Sequence, residues 1–174
     1  MRDEAAFVEF AEAARGQLRR TAFLLCGDWD QASDHVQEGL IRVYVAWPRL
    51  TRAGREYAYA RQAVVSAFLD HIRRRSSTEI PTEPVGDPPS GHDLAESVAS
   101  RAALMSGLAG LPPRQRACVV LRYFEDLSVA DAAAALGCTE GTVKSQTSRG
   151  LDSLRSTFEG SPVGELVTEG AAPW

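Results

Sequence analysis

Residues 128–154 read SVADAAAALGCTEGTVKSQTSRGLDSL, and their spacing predicts a helix-turn-helix. Ser128 is placed to cap a first short helix, and Asp131 three positions later completes a capping-box-like pair. Gly137 supplies the left-handed residue that ends this helix and turns the chain. Thr139 is then placed to cap the second helix.

The interior positions of this motif agree with its caps. Ala133 is small where the two helices must cross closely, and Val143 is the aliphatic residue that packs back against the first helix. A small residue, a glycine four positions later and an aliphatic residue six after that give the spacing of a tight helix-turn-helix. We therefore expect the second helix to bind DNA.

The outward face of the second helix supplies the candidate contacts to DNA. Lys144 can reach phosphate or guanine, and Arg149 is suited to phosphate. A solvated helix face is the alternative for both charges, and Gln146 either reads adenine or points sideways. The candidate contacts are Thr139, Glu140, Thr142, Lys144, Ser145, Gln146, Ser148 and Arg149.

Composition favours a soluble protein of a reducing compartment. The chain has 174 residues, no signal-peptide pattern and no apolar run near the ~18 residues of a membrane span, so no membrane insertion is expected. Cys26, Cys118 and Cys138 are widely spaced among apolar neighbours, which indicates buried thiols in the cytoplasm rather than disulfides or a zinc site. Enzyme motifs are absent, and we expect no catalytic residue, no cofactor and no metal.

The net charge of −4 conceals two basic blocks. Residues 1–75 carry 12 Arg against 10 acidic residues, and residues 101–155 carry seven basic against five acidic, so each block has a charge of +2. Residues 76–100 carry five acids and residues 156–174 carry three, with no basic residue in either. The two basic blocks are therefore available for phosphates.

The predicted fold is all-α, with two small helical domains joined by a flexible linker. Apolar periodicity in residues 1–75 predicts three helices, of which the second ends at Pro48. Residues 76–95 hold four prolines and two glycines without apolar period, which indicates a flexible acidic linker of about 66 Å when extended. Residues 96–158 form the domain with the helix-turn-helix, and residues 159–174 are expected to be disordered.

Two polar stretches of the N-terminal domain carry further candidate contacts. Residues 34–38 (DHVQE) form a polar ridge on a helix otherwise used for the core, and by itself this is typical of a solvated face. The third helix carries Tyr57 and Arg61 and finishes in three arginines, residues 73–75. Arginines at a helix C-terminus have a dipole explanation. Aromatic residues beside arginine on one helix also suit single-stranded DNA.

Motifs in both predicted domains are similar to those of one bacterial family. They are residues 111–116 (LPPRQR), 121–128 (LRYFEDLS), 141–145 (GTVKS) with Arg149-Gly150, and 32–38 (ASDHVQE) followed by Trp47-Pro48. Over residues 5–158 the chain resembles an extracytoplasmic-function (ECF, group IV) RNA polymerase sigma factor, most similar to the actinobacterial SigE-type subfamily.

The resemblance implies a transcription initiation factor that directs core RNA polymerase to promoters by melting the minus-10 element and reading the minus-35 element. It implies core-polymerase contacts at Asp34, Gln37, Glu38 and Tyr44, and minus-35 contacts on the helix face described above. It implies minus-10 contacts at Arg52, Arg55, Tyr57, Arg61, Ser66, Asp70, Arg73, Arg74 and Arg75. Promoter DNA and core polymerase are the implied partners, and an anti-sigma factor stays open as a third.

Two other functional classes stay open at this point. The first is a conventional two-domain transcriptional regulator, although residues 5–75 show neither the strands of a receiver domain nor a ligand-binding fingerprint. The second is a helical interaction protein that binds polymerase without touching DNA, against which the Lys144 and Arg149 face argues. A pull-down with core polymerase followed by run-off transcription separates the three classes.

Overall fold

The computed structural model describes residues 4–51, 54–76 and 95–159. All regular structure in these ranges is helical, which confirms the all-α prediction. The elements are α1 (Glu4–Cys26), α2 (Trp29–Leu50), α3 (Glu56–Ser76), α4 (Ala95–Gly110), α5 (Pro113–Val119) with a following π-helical turn (Val120–Phe124), α6 (Val129–Leu136) and α7 (Glu140–Phe158).

Helices α1, α2 and α3 pack into a three-helix unit. Its core is apolar and includes Leu18, Val43 and Val64, all buried. Gly39 allows α2 and α3 to approach closely, since a Cβ atom at this position would lie 2.7 Å from the Val64 Cγ2 atom. The unit thus depends on a missing side chain as well as on its apolar stripes.

The turn between α1 and α2 follows from two adjacent residues. Gly27 adopts a positive φ of 77°, and the Asp28 carboxylate accepts the backbone N–H groups of Asp30 and Gln31 at 2.9 and 2.7 Å. This cap satisfies donors that the start of α2 would otherwise leave unpaired. Gly27 and Asp28 therefore separate α1 from α2.

The prediction that Pro48 ends α2 is wrong, because the helix continues to Leu50. The Thr51 N–H group still donates to the Trp47 carbonyl at 3.2 Å, so helical hydrogen bonding continues past the proline. Proline removes its own N–H group and crowds the carbonyl four residues earlier, and α2 tolerates both effects in its last turn.

Helices α6 and α7 form the predicted helix-turn-helix. Ser128 Oγ accepts the Asp131 N–H group at 3.0 Å and donates to its carboxylate at 2.6 Å. Gly137 has φ 61° and ψ 40°, the left-handed conformation that the turn requires. Thr139 Oγ1 accepts the N–H group three residues later at 3.1 Å, and Val143 is fully buried. The four local predictions are confirmed.

The two helical units pack against each other. One buried cluster takes Leu25 from α1 and Phe68 from α3 on one side, and Leu108, Leu111 and Leu121 on the other. The sequence predicted two units but not this shared cluster, because it gave no signal of which apolar side chains meet across the linker.

Some predicted features lie outside the described residues. They are Arg52, most of the predicted linker (residues 77–94) and the tail from residue 160. No helix within the described ranges is long and apolar enough to cross a membrane.

Candidate nucleic-acid interface

The N-terminal half of α7 presents a polar face opposite its buried stripe. Lys144 and Arg149 are exposed, and neither makes an ion pair within the described part of the chain. The buried side of the helix consists of Val143, Thr147, Gly150, Leu151, Leu154 and Phe158. The outer side brings together the predicted set, with Thr139, Glu140, Ser145 and Ser148 exposed and Thr142 and Gln146 half-buried.

The start of α7 is held rigidly. Thr139 Oγ1 and Thr142 Oγ1 lie 2.9 Å apart, and Ser145 Oγ donates to the Thr142 carbonyl at 3.1 Å. Gly150 lets α7 sit against α5, because a Cβ atom there would lie 2.8 Å from Val119 Cγ2. A capped helix N-terminus with basic side chains nearby is a favourable site for phosphate, since N–H groups and the helix dipole both attract anions.

The end of α3 carries a cluster of exposed arginines. Arg73, Arg74 and Arg75 are exposed, and Asp70 lies beneath them with its carboxylate 3.1 Å from Arg73 Nη2. Arg55, just before α3, is also exposed. Arg55 and the three arginines thus lie at opposite ends of one helix.

Two of the predicted minus-10 residues face the other helical unit. Arg61 Nη1 lies 3.1 Å from Glu125 Oε2, and the Arg61 side chain is only 14% exposed. Its guanidinium carbon lies 5.3 Å from the centre of the Tyr57 ring. Burial, followed by the charge of Glu125, raises the pKa of Tyr57 to about 12. In this structure the Arg61 side chain is enclosed between the two units. Its role as a minus-10 contact stays a prediction.

The outward face of α2 combines polar and apolar side chains. Asp34 and Gln37 are exposed as predicted, and Ile41 and Val45 continue the same face, each 58% exposed. Sequence reasoning missed both aliphatic residues, although they fall opposite the buried stripe of the helix. Exposed apolar side chains grouped on one face are typical of protein–protein contact.

Tyr44 and Glu38 border this face and are already engaged. The Tyr44 hydroxyl donates to Glu4 at 3.2 Å, and its ring packs edge-on against Phe7 with the centroids 4.9 Å apart. Glu38 Oε1 lies 2.5 Å from Arg42 Nη2, and its Oε2 lies 3.9 Å from Arg74 Nη2. A predicted polymerase contact is therefore ion-paired with a predicted DNA contact.

The polar ridge predicted at residues 34–38 is only partly exposed. His35 is 4% exposed, so the ridge prediction is wrong at this position, and Val36 is buried with the apolar stripe of α2. The His35 ring lies 6.1 Å from Phe68 and 5.4 Å from His71, measured between ring centroids. The helical period turns both residues inward between the exposed Asp34 and Gln37.

Burial makes His35 a source of pH-dependent stability. Desolvation, followed by repulsion from His71, lowers its pKa, whereas Glu38 and Asp34 oppose this shift and Arg74 adds to it. The folded state therefore binds a proton less readily than the unfolded chain, whose histidines titrate near pH ~6.5. This contribution to stability is complete above the unfolded pKa and is lost as the pH falls below it.

We expect the melting temperature of the wild type to fall more steeply than that of a His35→Leu variant between about pH 7.5 and pH 5. Thermal melts followed by circular dichroism in matched buffers measure this difference. If the melting temperatures of the two proteins differ by the same amount at every pH in this range, the inference is contradicted.

The cysteines show the character predicted from their surroundings. Cys118 is buried and Cys26 and Cys138 are partly buried, all as free thiols. Burial raises the pKa of both Cys26 and Cys118 to about 11, so both thiols are protonated near neutral pH. Within the described residues, no group of three or more His, Cys, Asp or Glu side chains could hold a metal ion.

Comparison with known families assigns both helical units. Residues 10–78, which cover most of α1 to α3, match the family described as Sigma-70 region 2. Residues 101–154, which include the helix-turn-helix, match the family described as Sigma-70, region 4. The predicted resemblance thus extends to both halves of the chain.

Curated relatives and one solved structure agree with this assignment. The chain is 38% identical to an RNA polymerase sigma-E factor of Streptomyces avermitilis, over 88% of this chain and 85% of the relative. It is 31% identical to the ECF RNA polymerase sigma factor SigM of Mycobacterium tuberculosis, over 84% of this chain and 74% of the relative.

The sigma factor RpoE of Bartonella quintana, solved with the anti-sigma factor NepR, shares the fold. The TM-score is 0.73 at 24% identity, over 89% of this chain and 98% of that one. Together with the relatives of over 30% identity and the two matched regions, this fold confirms the resemblance found in the sequence. The chain belongs to the ECF sigma factors, the small two-domain factors that direct RNA polymerase to promoters.

Proposed function

We propose that this sigma factor performs promoter recognition through three separate surfaces, two for promoter elements and one for core RNA polymerase. The observation that supports this division most strongly is the exposed face of α7, whose Lys144 and Arg149 have no ion pair within the described residues. Cations that have no protein partner within the described residues, on the exposed face of a capped helix, suit phosphate and base edges in a major groove. This surface would read the minus-35 element.

The outward face of α2 is the proposed surface for core RNA polymerase. It includes the predicted residues Asp34, Gln37, Glu38 and Tyr44, to which the exposed Ile41 is added. An interface of this kind gains affinity from its apolar centre and specificity from the charges around it.

The basic end of α3 is the proposed surface for the minus-10 element. Arg73, Arg74 and Arg75 are exposed there, and Asp70 orients the first of them. Arg52, Arg55, Tyr57, Arg61 and Ser66 complete the predicted set. Of these, Arg61 can reach DNA only after the contact with Glu125 is broken.

The proposed role requires no chemistry from the chain itself, since it positions DNA and polymerase without forming or breaking a covalent bond. We place its site of action in the cytoplasm, where core polymerase and promoter DNA meet. An anti-sigma factor is a further proposed partner, as for the solved relative. The exposed α2 face is the surface for which it would compete with polymerase.

Promoter binding by the free protein is expected to be weak, and core polymerase is expected to convert it into tight, specific binding. Each basic block has a charge of only +2, whereas tight binding commonly uses about 6–10 phosphate contacts. The two DNA-reading units also strengthen each other's binding only when a scaffold sets their separation to that of the two promoter elements.

An anisotropy titration of labelled promoter duplex with and without core polymerase, at about 150 mM salt, measures this difference. Run-off transcription from the same duplex completes the test. Nanomolar sequence-specific binding by the free protein would instead favour a conventional regulator.

A further inference from the structure

The carboxylate of Glu125 lies between the two helical units. Its side chain is only 5% exposed, although its neighbours Phe124 and Asp126 are exposed. Its Oε2 accepts a hydrogen bond from Arg61 Nη1 of α3 at 3.1 Å. Its Oε1 accepts a hydrogen bond from the hydroxyl of Thr21 in α1. Both of these partners belong to the N-terminal unit, so this buried charge is satisfied across the interface.

A second charged residue closes the same interface. Arg116 of α5 donates to the carbonyl of Leu25 in α1 at 2.6 Å, and to the carbonyls of Ala109 and Leu111 at 2.7 and 3.1 Å. A cation at the C-terminal end of α1 satisfies carbonyl groups that lack a helical partner. The apolar cluster that contains Phe68 lies alongside.

The interface also brings the DNA-reading helices together. Gln62 Nε2 of α3 donates to the carbonyl of Ala134 in α6, the first helix of the helix-turn-helix, at 3.4 Å. Helices α3, α6 and α7 have 21, 8 and 19 residues, so even laid end to end they would span only about 72 Å. The minus-10 and minus-35 elements of a promoter are about 25 base pairs apart, which is about 85 Å along the duplex. The packed arrangement therefore cannot read both elements at once.

We propose that the contacts of Glu125 with Arg61 and Thr21 form an autoinhibitory latch that holds the free sigma factor closed until core RNA polymerase separates the two units. The inference rests on the proposed function, since closure is inhibitory only for a protein that must read two distant DNA elements. The latch withholds Arg61, a predicted minus-10 contact, and draws α3 against the helix-turn-helix.

A mutation in the latch is expected to destabilise the closed state of the sigma factor more than the open state. In the closed state, loss of the Glu125 charge leaves Arg61 enclosed without its counter-ion, which is costly. In the open state both side chains meet water, and the same loss has little effect. Because apparent affinity is the intrinsic affinity reduced by the open fraction, weakening the closed state strengthens polymerase binding.

The test compares the full-length wild type with Glu125→Gln, which keeps the shape of the side chain and removes its charge. Thr21→Val removes the second contact, and Glu12→Gln makes the same chemical change on an exposed part of α1. Small-angle scattering of each free protein gives the radius of gyration, and titration with fluorescent core polymerase gives Kd. Circular dichroism establishes that each variant is folded.

We expect Glu125→Gln to raise the radius of gyration by roughly 5 Å and to lower the Kd for core polymerase by roughly tenfold. Thr21→Val is expected to shift both quantities in the same direction, and Glu12→Gln is expected to match the wild type. An extended wild type, or latch variants that match it in both measurements, would overturn the proposal. If Glu125→Gln does not fold, the radius of gyration and the Kd of Thr21→Val alone decide whether the proposal holds.

Failure of the proposed function gives a different result. In that case neither wild type nor variants bind core polymerase, and the change in radius of gyration alone shows whether the contacts close the protein.

Discussion

Asp34→Arg combined with Ile41→Glu is expected to weaken association with core RNA polymerase by about a hundredfold or more, about 2.7 kcal/mol, with the helical fold intact. Reversing Asp34 places a cation where the partner is expected to be basic, and truncating paired charges at an interface costs about 2–5 kcal/mol. A charge at position 41 must also be desolvated against the partner surface. Gel filtration with core polymerase and a fluorescence titration measure the loss.

The fold should tolerate both substitutions, because Ile41 is 58% exposed and Asp34 makes no ion pair within the described residues. Glu38 is a less suitable target, since its carboxylate is tied to Arg42 and removing it would disturb α2 and α3. Glu12→Arg, a charge reversal on exposed α1, is the matched control. Unchanged co-elution of the double variant with core polymerase would refute the assignment of this face.

Lys144→Ala combined with Arg149→Ala is expected to weaken binding of the holoenzyme to promoters by about a hundredfold. The two cations have no protein partner within the described residues, so their charges are available to phosphate. Each lost phosphate contact should lower the slope of log affinity against log salt by about 0.9. Filter binding at several salt concentrations measures the slope, and permanganate footprinting shows whether melting of the minus-10 element is retained.

Arg155→Ala is the matched control on the same helix. Arg155 lies in the last turn of α7, away from the capped end that we expect to enter the groove. Its guanidinium is 3.0 Å from the Asp152 carboxylate. The control should leave the salt slope unchanged. An unchanged slope in the Lys144 and Arg149 variant would instead show that this face does not meet DNA.

Local structure in this protein is largely readable from the sequence. The caps at Asp28, Ser128 and Thr139 and the left-handed Gly137 each depend on atoms within three or four residues. A side-chain oxygen close to the first N–H groups of a helix acts wherever the rest of the chain lies. The one local error, the end of α2 at Pro48, arose because proline is tolerated where few helical bonds follow.

Two features of the candidate surfaces could be assigned only from the tertiary structure. The burial of His35 and the exposure of Ile41 both depend on how α2 turns relative to α1 and α3. Residue type suggests the opposite for each, since histidine is polar and isoleucine is apolar. A helical period assigns faces, but only packing shows which face is covered.

By itself the sequence determined that the chain is helical and that it carries a helix-turn-helix, because these properties depend on short-range spacing. Its motifs also showed the resemblance to ECF sigma factors. Only the tertiary structure decided that the two units close on each other. Arg61 and Glu125 are 64 positions apart, and Thr21 and Glu125 are 104 apart. Contacts at such separation have no local signature, since they form only when apolar packing brings the two units together.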